Sequence, residues 1–375
     1  IVYMVLSACA NHPDVHSVAN LAPLEHGAEV LSPQSVPELV YTPDLLAIDE
    51  DMQAFVELYA PSHAAKRQRL RQLHRAVTGA GALNMEYDTF AEGTARETFH
   101  RGAANCLSYA NLFVALAREA GLDARYQWLE VRPQWTRMGE RVALRLHVNV
   151  AVHLRRKEKF MVDIDPLPSR EIASSQEISD RDAQALYHNN IAMKALARED
   201  TKEAWLHGVR ALQLSPGIAH LWVNLGAIYR LAGQHQEAEL NYLQALALDP
   251  TERSAMNNLV ILYSLEERQE EMAYWEQKVD RYRENNPYYH AWQGDQAGEE
   301  GNWRRALAHY LDALELEPED GTLLYGTGVI YQQLGQYKAA TRYVEQAMGH
   351  AALRSDVEKY RFKLKEIDSA RMAAM

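Results

Sequence analysis

Cysteine is scarce. Only Cys9 and Cys106 occur in 375 residues, which excludes a disulfide framework and asks for a separate account of each. No stretch approaches the roughly 18 consecutive apolar residues of a membrane-spanning helix. Positive charge is in deficit: 39 Lys and Arg face 51 Asp and Glu, a formal net charge of −12. Without a basic run there is no footprint for a phosphate backbone, so nucleic acid is excluded as a partner. There is no Cys-x-x-Cys pair and the 15 histidines are scattered, so the sequence implies no metal. Gly79 and Gly81 lack a following Lys-Thr, so there is no phosphate cradle, no nucleotide and no cofactor. What is present is a folded chain, with 47% hydrophobic and 24% charged residues.

The first nine residues are an apolar run closed by small residues and a cysteine, Leu6-Ser7-Ala8-Cys9. This run resembles the lipobox of bacterial lipoproteins, as the end (residues 1–9) of a signal sequence whose start lies upstream. The resemblance implies cleavage before Cys9 and acylation of its thiol, a lipid anchor that does not span the membrane. Asn11, rather than Asp, two places after Cys9 points to the periplasmic face of the outer membrane, in the bacterial cell envelope. Residues 10–43 follow with Pro13, Pro23, Pro33, Pro37 and Pro43 and little apolar period. Proline at this density disfavours helix, and the segment is expected to be an extended tether.

The second half repeats itself every 34 residues. The cleanest unit, residues 219–252, carries Trp222, Leu225, Gly226, Tyr229, Ala238, Tyr242, Ala245 and Pro250. Stepping by the period recovers Ala192, Ala204, Ala211 and Pro216 before it, and Gly294, Ala306, Tyr310, Ala313 and Pro318 after it. A further unit holds Leu324, Gly328, Tyr331, Ala340 and Ala347, and a weaker one spans residues 253–286. Small residues at three fixed places let two antiparallel helices approach, and large ones fill the spaces between. The pattern resembles the tetratricopeptide repeat, with five units over residues 185–352 and a polar-faced capping helix over 353–375. Such units stack into an all-α superhelix. Asn190, Asn224 and Asn258 share one place in three successive units. An amide there can grip an extended peptide backbone, so these three are candidate ligands of a protein or peptide bound in the repeat groove. The same residue can instead bond a neighbouring turn.

The chemistry lies between, in residues 44–182. Apolar spacing predicts helices over 44–59 and 63–77, the second ended by Gly79. From Cys106, residues Ala110, Phe113, Val114, Leu116 and Ala117 recur at helical spacing until Gly121. Cys106 therefore sits in the first turn of a buried helix, where orphan amides and the helix dipole favour a thiolate. Strands are expected over 124–131, 142–154 and 160–166. The second carries His147 on the face opposite its valines, and the third carries Asp163 and Asp165. A thiol on a helix start with imidazole and carboxylate on adjacent strands is what a nucleophilic sulfur requires. His153 competes with His147, but it lies at the strand's far end beside Arg155 and Arg156.

Gly102-x-x-x-Cys106 and Leu116-Ala117-Arg118-x-x-Gly121-Leu122-x-Ala124-Arg125 resemble the transglutaminase-like superfamily of papain-like thiol enzymes. The resemblance implies an α+β domain with Cys106 as nucleophile, His147 as base and Asp163 or Asp165 as the orienting acid. Asp163 follows inward Met161, whereas Asp165 precedes Pro166 as in many relatives, and spacing leaves both open. The side-chain amide of Asn105, or the backbone amide of Cys106, is a candidate oxyanion donor. The expected function is thiol attack on an amide bond of a protein or peptide, by a cysteine peptidase or amidase or a transglutaminase-like acyltransferase. Hydrolysis is favoured over transamidation, and the repeats recruit substrate or partner. The competing expectation is an inactive envelope adaptor whose repeats scaffold other proteins.

Overall fold

The computed structural model describes residues 18–131, 134–136, 139–141, 147–155, 158–167, 172–351 and 354–373. The described chain opens with strands β1 (Leu24–His26) and β2 (Glu29–Leu31) and the short helix α1 (Val36–Leu39). Helices α2 (Glu50–Tyr59) and α3 (Lys66–Thr78), strand β3 (Glu86–Tyr87), helix α4 (Ala95–Arg101) and strand β4 (Ala103–Ala104) lead to helix α5 (Cys106–Glu119). Strands β5 (Asp123–Val131), β6 (Gln134–Thr136), β7 (Gly139–Arg141), β8 (His147–Arg155), β9 (Glu158–Val162) and β10 (Ile172–Ile178) follow. Helical pairs complete the chain: α6 (Asp180–Ala197) with α7 (Thr201–Leu214), and α8 (Ala219–Leu231) with α9 (His235–Leu248). Next come α10 (Arg253–Leu265) and α11 (Gln269–Glu284), α12 (Pro287–Glu299) and α13 (Trp303–Leu316), and α14 (Gly321–Gln333) and α15 (Tyr337–Gly349). The last helix is α16 (Arg354–Ala373). Among the described residues no helix is long and apolar enough to cross a membrane.

Compactness does not follow chain order. One unit gathers the described residues up to 48 with 92–97 and 178–276, and the other gathers 49–91, 98–177 and 277 onward. The segment boundaries expected from the sequence therefore do not coincide with compact bodies.

In the first unit the expected tether is corrected. Residues 24–31 form an antiparallel hairpin, pairing Leu24 with Leu31, and Leu21, Leu24, Leu31, Val36 and Val40 are buried. Burying a Leu or Val contributes about 1.5–3 kcal/mol, enough across five residues to hold a segment down. Proline removes a donor but leaves its carbonyl. Pro33 O accepts from Gln213 Nε2 at 2.8 Å, and Pro23 O accepts from Gln234 Nε2 at 3.0 Å. Gln234 Oε1 in turn accepts from the amide of Glu25 at 2.9 Å, so one carboxamide clamps two backbone groups of the segment.

The repeat helices show why glycine recurs at the eighth place of a unit. A Cβ on Gly226 would stand 2.6 Å from the Tyr242 ring; on Gly294, 2.5 Å from Tyr310; on Gly328, 2.6 Å from Val344. In each pair the partner sits sixteen residues on in the same unit, so the helices touch where the first has no side chain.

In the second unit the strand order is β10-β5-β8-β9, with β5–β8 and β8–β9 antiparallel. Helix α5 packs on β5 and β8, and its residues from Leu107 to Ala117 are all buried. Gly121, at φ 71°, ends α5 in the left-handed conformation that lets the Leu122 amide reach Ala117 O at 2.9 Å. Helix α2 starts later than expected because Asp49 caps it, its carboxylate accepting from the Met52 amide at 3.0 Å. Residues 142–146 of the expected second strand lie outside the described residues.

Deleting residues up to 43 tests the corrected role of that segment. The truncated protein should melt several degrees lower and bind more of an apolar dye, whereas removal of a loose tether would change neither.

Candidate active site

The site begins with the cap of α5. Asn105 Oδ1 accepts from the Ser108 amide, and Ser108 Oγ accepts from the Asn105 amide, both at 2.9 Å. This reciprocal box satisfies two of the orphan donors of the first turn and fixes the entry of the chain. The carbonyl of Ala91 anchors the same corner, accepting from Ser108 Oγ (2.6 Å), Arg101 Nη2 (3.1 Å) and the Asn105 amide (3.2 Å). Cys106 is the first helical residue and is half-buried. Two of its neighbours' groups thus define where its sulfur points.

His147 opens the described part of β8. The register pairs it with Leu129 of β5 and pairs Asn149 with Gln127. On the other side Val150 faces Val162 and Ala151 faces Met161, so one further step along β9 brings Asp163 beside Asn149. Alternation puts His147 and Asn149 on one face, and both reach the same carboxylate. His147 Nε2 lies 2.5 Å from Asp163 Oδ2, and Asn149 Nδ2 donates to that oxygen at 3.2 Å. The other imidazole nitrogen, Nδ1, lies 3.4 Å from Cys106 Sγ. His147 and Asp163 are nearly sealed, with 3% and 5% of their side chains exposed.

Burial alone would lower the pKa of His147. The hydrogen bonds to Asp163 and to Cys106, with the charges of both, overcome it and push the imidazole up to about 9. The ring is therefore an imidazolium at neutral pH, donating Nε2–H to the carboxylate and Nδ1–H to the sulfur. Burial, with the Asp163 charge as the second cause, also pushes the phenol of Tyr109 up, so it stays a neutral wall.

The structure brings together Cys106, His147 and Asp163 and sets the remaining candidates apart. Asp165 does not touch the imidazole: its backbone amide donates to Asp163 Oδ1 at 3.1 Å, so it steadies the acid through the main chain. Asn105 caps α5 through its carboxamide oxygen, which accepts from the Ser108 amide. His153 pairs with Glu177 at 2.7 Å, in a surface group that includes Lys159 and Arg125. Cys9 lies outside the described residues.

The three asparagines of the repeats make internal contacts. Asn190 Nδ2 donates to Glu92 at 2.9 Å, and Asn224 Nδ2 donates to Asn189 Oδ1 at 2.7 Å. Asn258 Nδ2 donates to Ser254 O at 2.8 Å, one turn back in its own helix. Each amide nitrogen therefore has a partner within the protein, Asn224 in the preceding repeat and Asn258 in its own helix. Sequence reasoning missed Asn149, although its place two residues after His147 on the same strand face was a usable signal. It also missed Tyr87, whose position depends on the pairing of β3 with β4. Among the described residues, the His and Asp groups spaced to share an ion are Asp49, Asp51 and His100, and His290, His309 and Asp312. Both include exposed members and neither involves the thiol site.

A sulfur at a helix start, an imidazole and a buried carboxylate in line are the groups that a nucleophilic thiol needs. The family to which this part of the chain is assigned agrees: residues 53–166 match the Transglutaminase-like superfamily model. Residues 219–252 and 293–353 match tetratricopeptide-repeat models, so the chain carries a transglutaminase-like core domain followed by a helical repeat array. No curated protein sequence matches the chain.

Solved structures similar to it include the MamA protein, at 17% identity and TM-score 0.25, covering 44% of this chain and 91% of that one. YrrB, titled a TPR protein with an unusual peptide-binding site, is 18% identical at TM-score 0.25, covering 47% of this chain and 91% of its own. PilF of Pseudomonas aeruginosa is 17% identical at TM-score 0.27, covering 52% and 89%. The repeat assignment rests on the family models and the 34-residue period, not on these likenesses.

Replacing each acid separates their roles. In Asp163→Asn the His147 titration, followed by NMR, should fall from about 9 toward the ordinary 6.5; in Asp165→Asn it should stay near 9. Because the folded value is raised, the stabilisation from this pair is complete below pH 6.5 and is lost as pH climbs through about 9. Thermal melts of wild type and Asp163→Asn should therefore differ most at acidic pH and converge above about 9.

Proposed function

We propose that the protein is a thiol enzyme that cleaves an amide bond of a protein or peptide through an acyl-thioester on Cys106. The observation that carries this reading is the line Cys106 Sγ, His147 Nδ1 (3.4 Å), His147 Nε2, Asp163 Oδ2 (2.5 Å). The thiolate attacks the carbonyl carbon and the carbon–sulfur bond forms. His147 passes its Nδ1 proton to the leaving nitrogen as the carbon–nitrogen bond breaks. Water then gives a proton to His147 as it attacks the thioester, which releases a carboxylic acid and restores the ion pair. Asp163 keeps its oxygen on Nε2 throughout and holds the ring in place. In this reading water is the acceptor, which gives hydrolysis. An amine acceptor would instead give transamidation.

The tetratricopeptide repeats support a protein-binding role, and in this reading they bring the substrate or a partner to the enzyme. The residues Leu6-Ser7-Ala8-Cys9 support lipid anchoring at the periplasmic face of the bacterial outer membrane. Cys9→Ala would then move the protein from the membrane to the soluble envelope fraction. An unchanged distribution would remove the anchor.

Alkylation tests the chemistry without knowledge of the substrate. Iodoacetamide at pH 6 should label Cys106 quickly in the wild type and at least about ten times more slowly in His147→Ala. A thiol that stays unlabelled in both would contradict the enzyme and leave the adaptor reading.

A further inference from the structure

The proposed reaction needs a donor for the oxygen that becomes an anion when sulfur attacks. We propose that the hydroxyl of Tyr87 is that donor, a catalytic residue on the solvent side of Cys106; this rests on the thiol-enzyme reading above. Tyr87 Oη lies 3.9 Å from Cys106 Sγ. That is long for a bond to sulfur. It leaves space for an oxygen about 3 Å from both atoms, the position an oxyanion takes between nucleophile and donor. His147 approaches the sulfur from its buried side, at 3.4 Å and 3% exposed, whereas Tyr87 is 39% exposed. A substrate carbonyl enters from solvent, so its oxygen arrives where the phenol is.

The position is built into the backbone. Strand β3 pairs parallel with β4, setting Tyr87 opposite Ala104, two residues before the nucleophile. The Asp88 amide donates to Ala104 O at 2.9 Å, and the Glu86 amide donates to Gly102 O at 3.0 Å. The loop that continues from Tyr87 ends at Ala91, whose carbonyl takes the three donors already described from the start of α5 and from Arg101. The phenol and the sulfur are therefore held to one another through the same short stretch of chain. The Cys106 backbone amide, one of the first-turn donors that no intrahelical carbonyl reaches, supplies a second hydrogen bond to the same oxygen. Chemically, the Tyr87 O–H stays bonded throughout. It donates to the oxyanion as the carbon–sulfur bond forms and lets go when the carbonyl is restored.

Two probes with different chemistry test this on the full chain. p-Nitrophenyl acetate acylates a thiolate through a tetrahedral oxyanion, while iodoacetamide alkylates it by displacement with no oxyanion. In Tyr87→Phe the burst of p-nitrophenol should slow by about 10- to 100-fold, within the range for loss of one oxyanion donor. The alkylation rate should stay within about twofold, which also shows that the site has kept its fold. Equal acylation in both proteins would overturn the proposal, as would a parallel loss of acylation and alkylation, which would place the effect on the thiolate. A wild-type thiol that reacts with neither probe would fail the thiol-enzyme reading itself, a result distinct from any difference between the two proteins.

Discussion

A buried positive charge is tolerable only beside a buried negative one, and the site depends on that pairing between His147 and Asp163. With 3% and 5% of their side chains exposed, neither can rely on water. Asp163 answers with three donors, from the imidazole, from Asn149 and from the backbone of Asp165, so its oxygens are satisfied while it faces one way. Everything nearer the sulfur follows from this. The imidazole keeps its proton, and its second nitrogen is aimed at the sulfur of Cys106.

The sulfur itself is placed by a different device. Helix α5 is buried from Leu107 to Ala117 against β5 and β8, and at its N-terminal end Cys106 is the half-buried residue. The Asn105–Ser108 box and the Ala91 carbonyl then fix that point to within the geometry of a few hydrogen bonds. A rigid helix end and a sealed strand pair are brought to contact distance, and the chemistry needs only the short gap between them.

Much of this was legible in the sequence because it rests on local period. The 34-residue repeat places helix pairs from α6 to α15, and the close approach of Gly226 to Tyr242 is the physical content of that spacing. Helical spacing after Cys106 and alternation around His147 gave the two elements of the site. What the sequence left open was decided by register. Asp163 and Asp165 both follow the end of β9, and only the pairing of β8 with β9 shows which one meets the imidazole. Tyr87 was illegible for the same reason, since a two-residue pairing with β4 brings it to Cys106. The segment before residue 43 misled because proline density describes what a chain cannot do by itself. It is silent about carbonyls that Gln213 and Gln234 can bind and about apolar side chains that a neighbouring surface can cover. Spacing likewise could not foretell the internal partners of the three repeat asparagines, such as Asn189 for Asn224 and the helix's own carbonyl for Asn258.

The most direct test of the account is the titration of His147, followed by NMR, with and without the sulfur. The wild-type imidazole should titrate at about 9, and in Cys106→Ser it should titrate lower, because the contact to sulfur is one of the interactions that raise it. A wild-type imidazole that titrates near the ordinary 6.5 and is indifferent to Cys106 would contradict it.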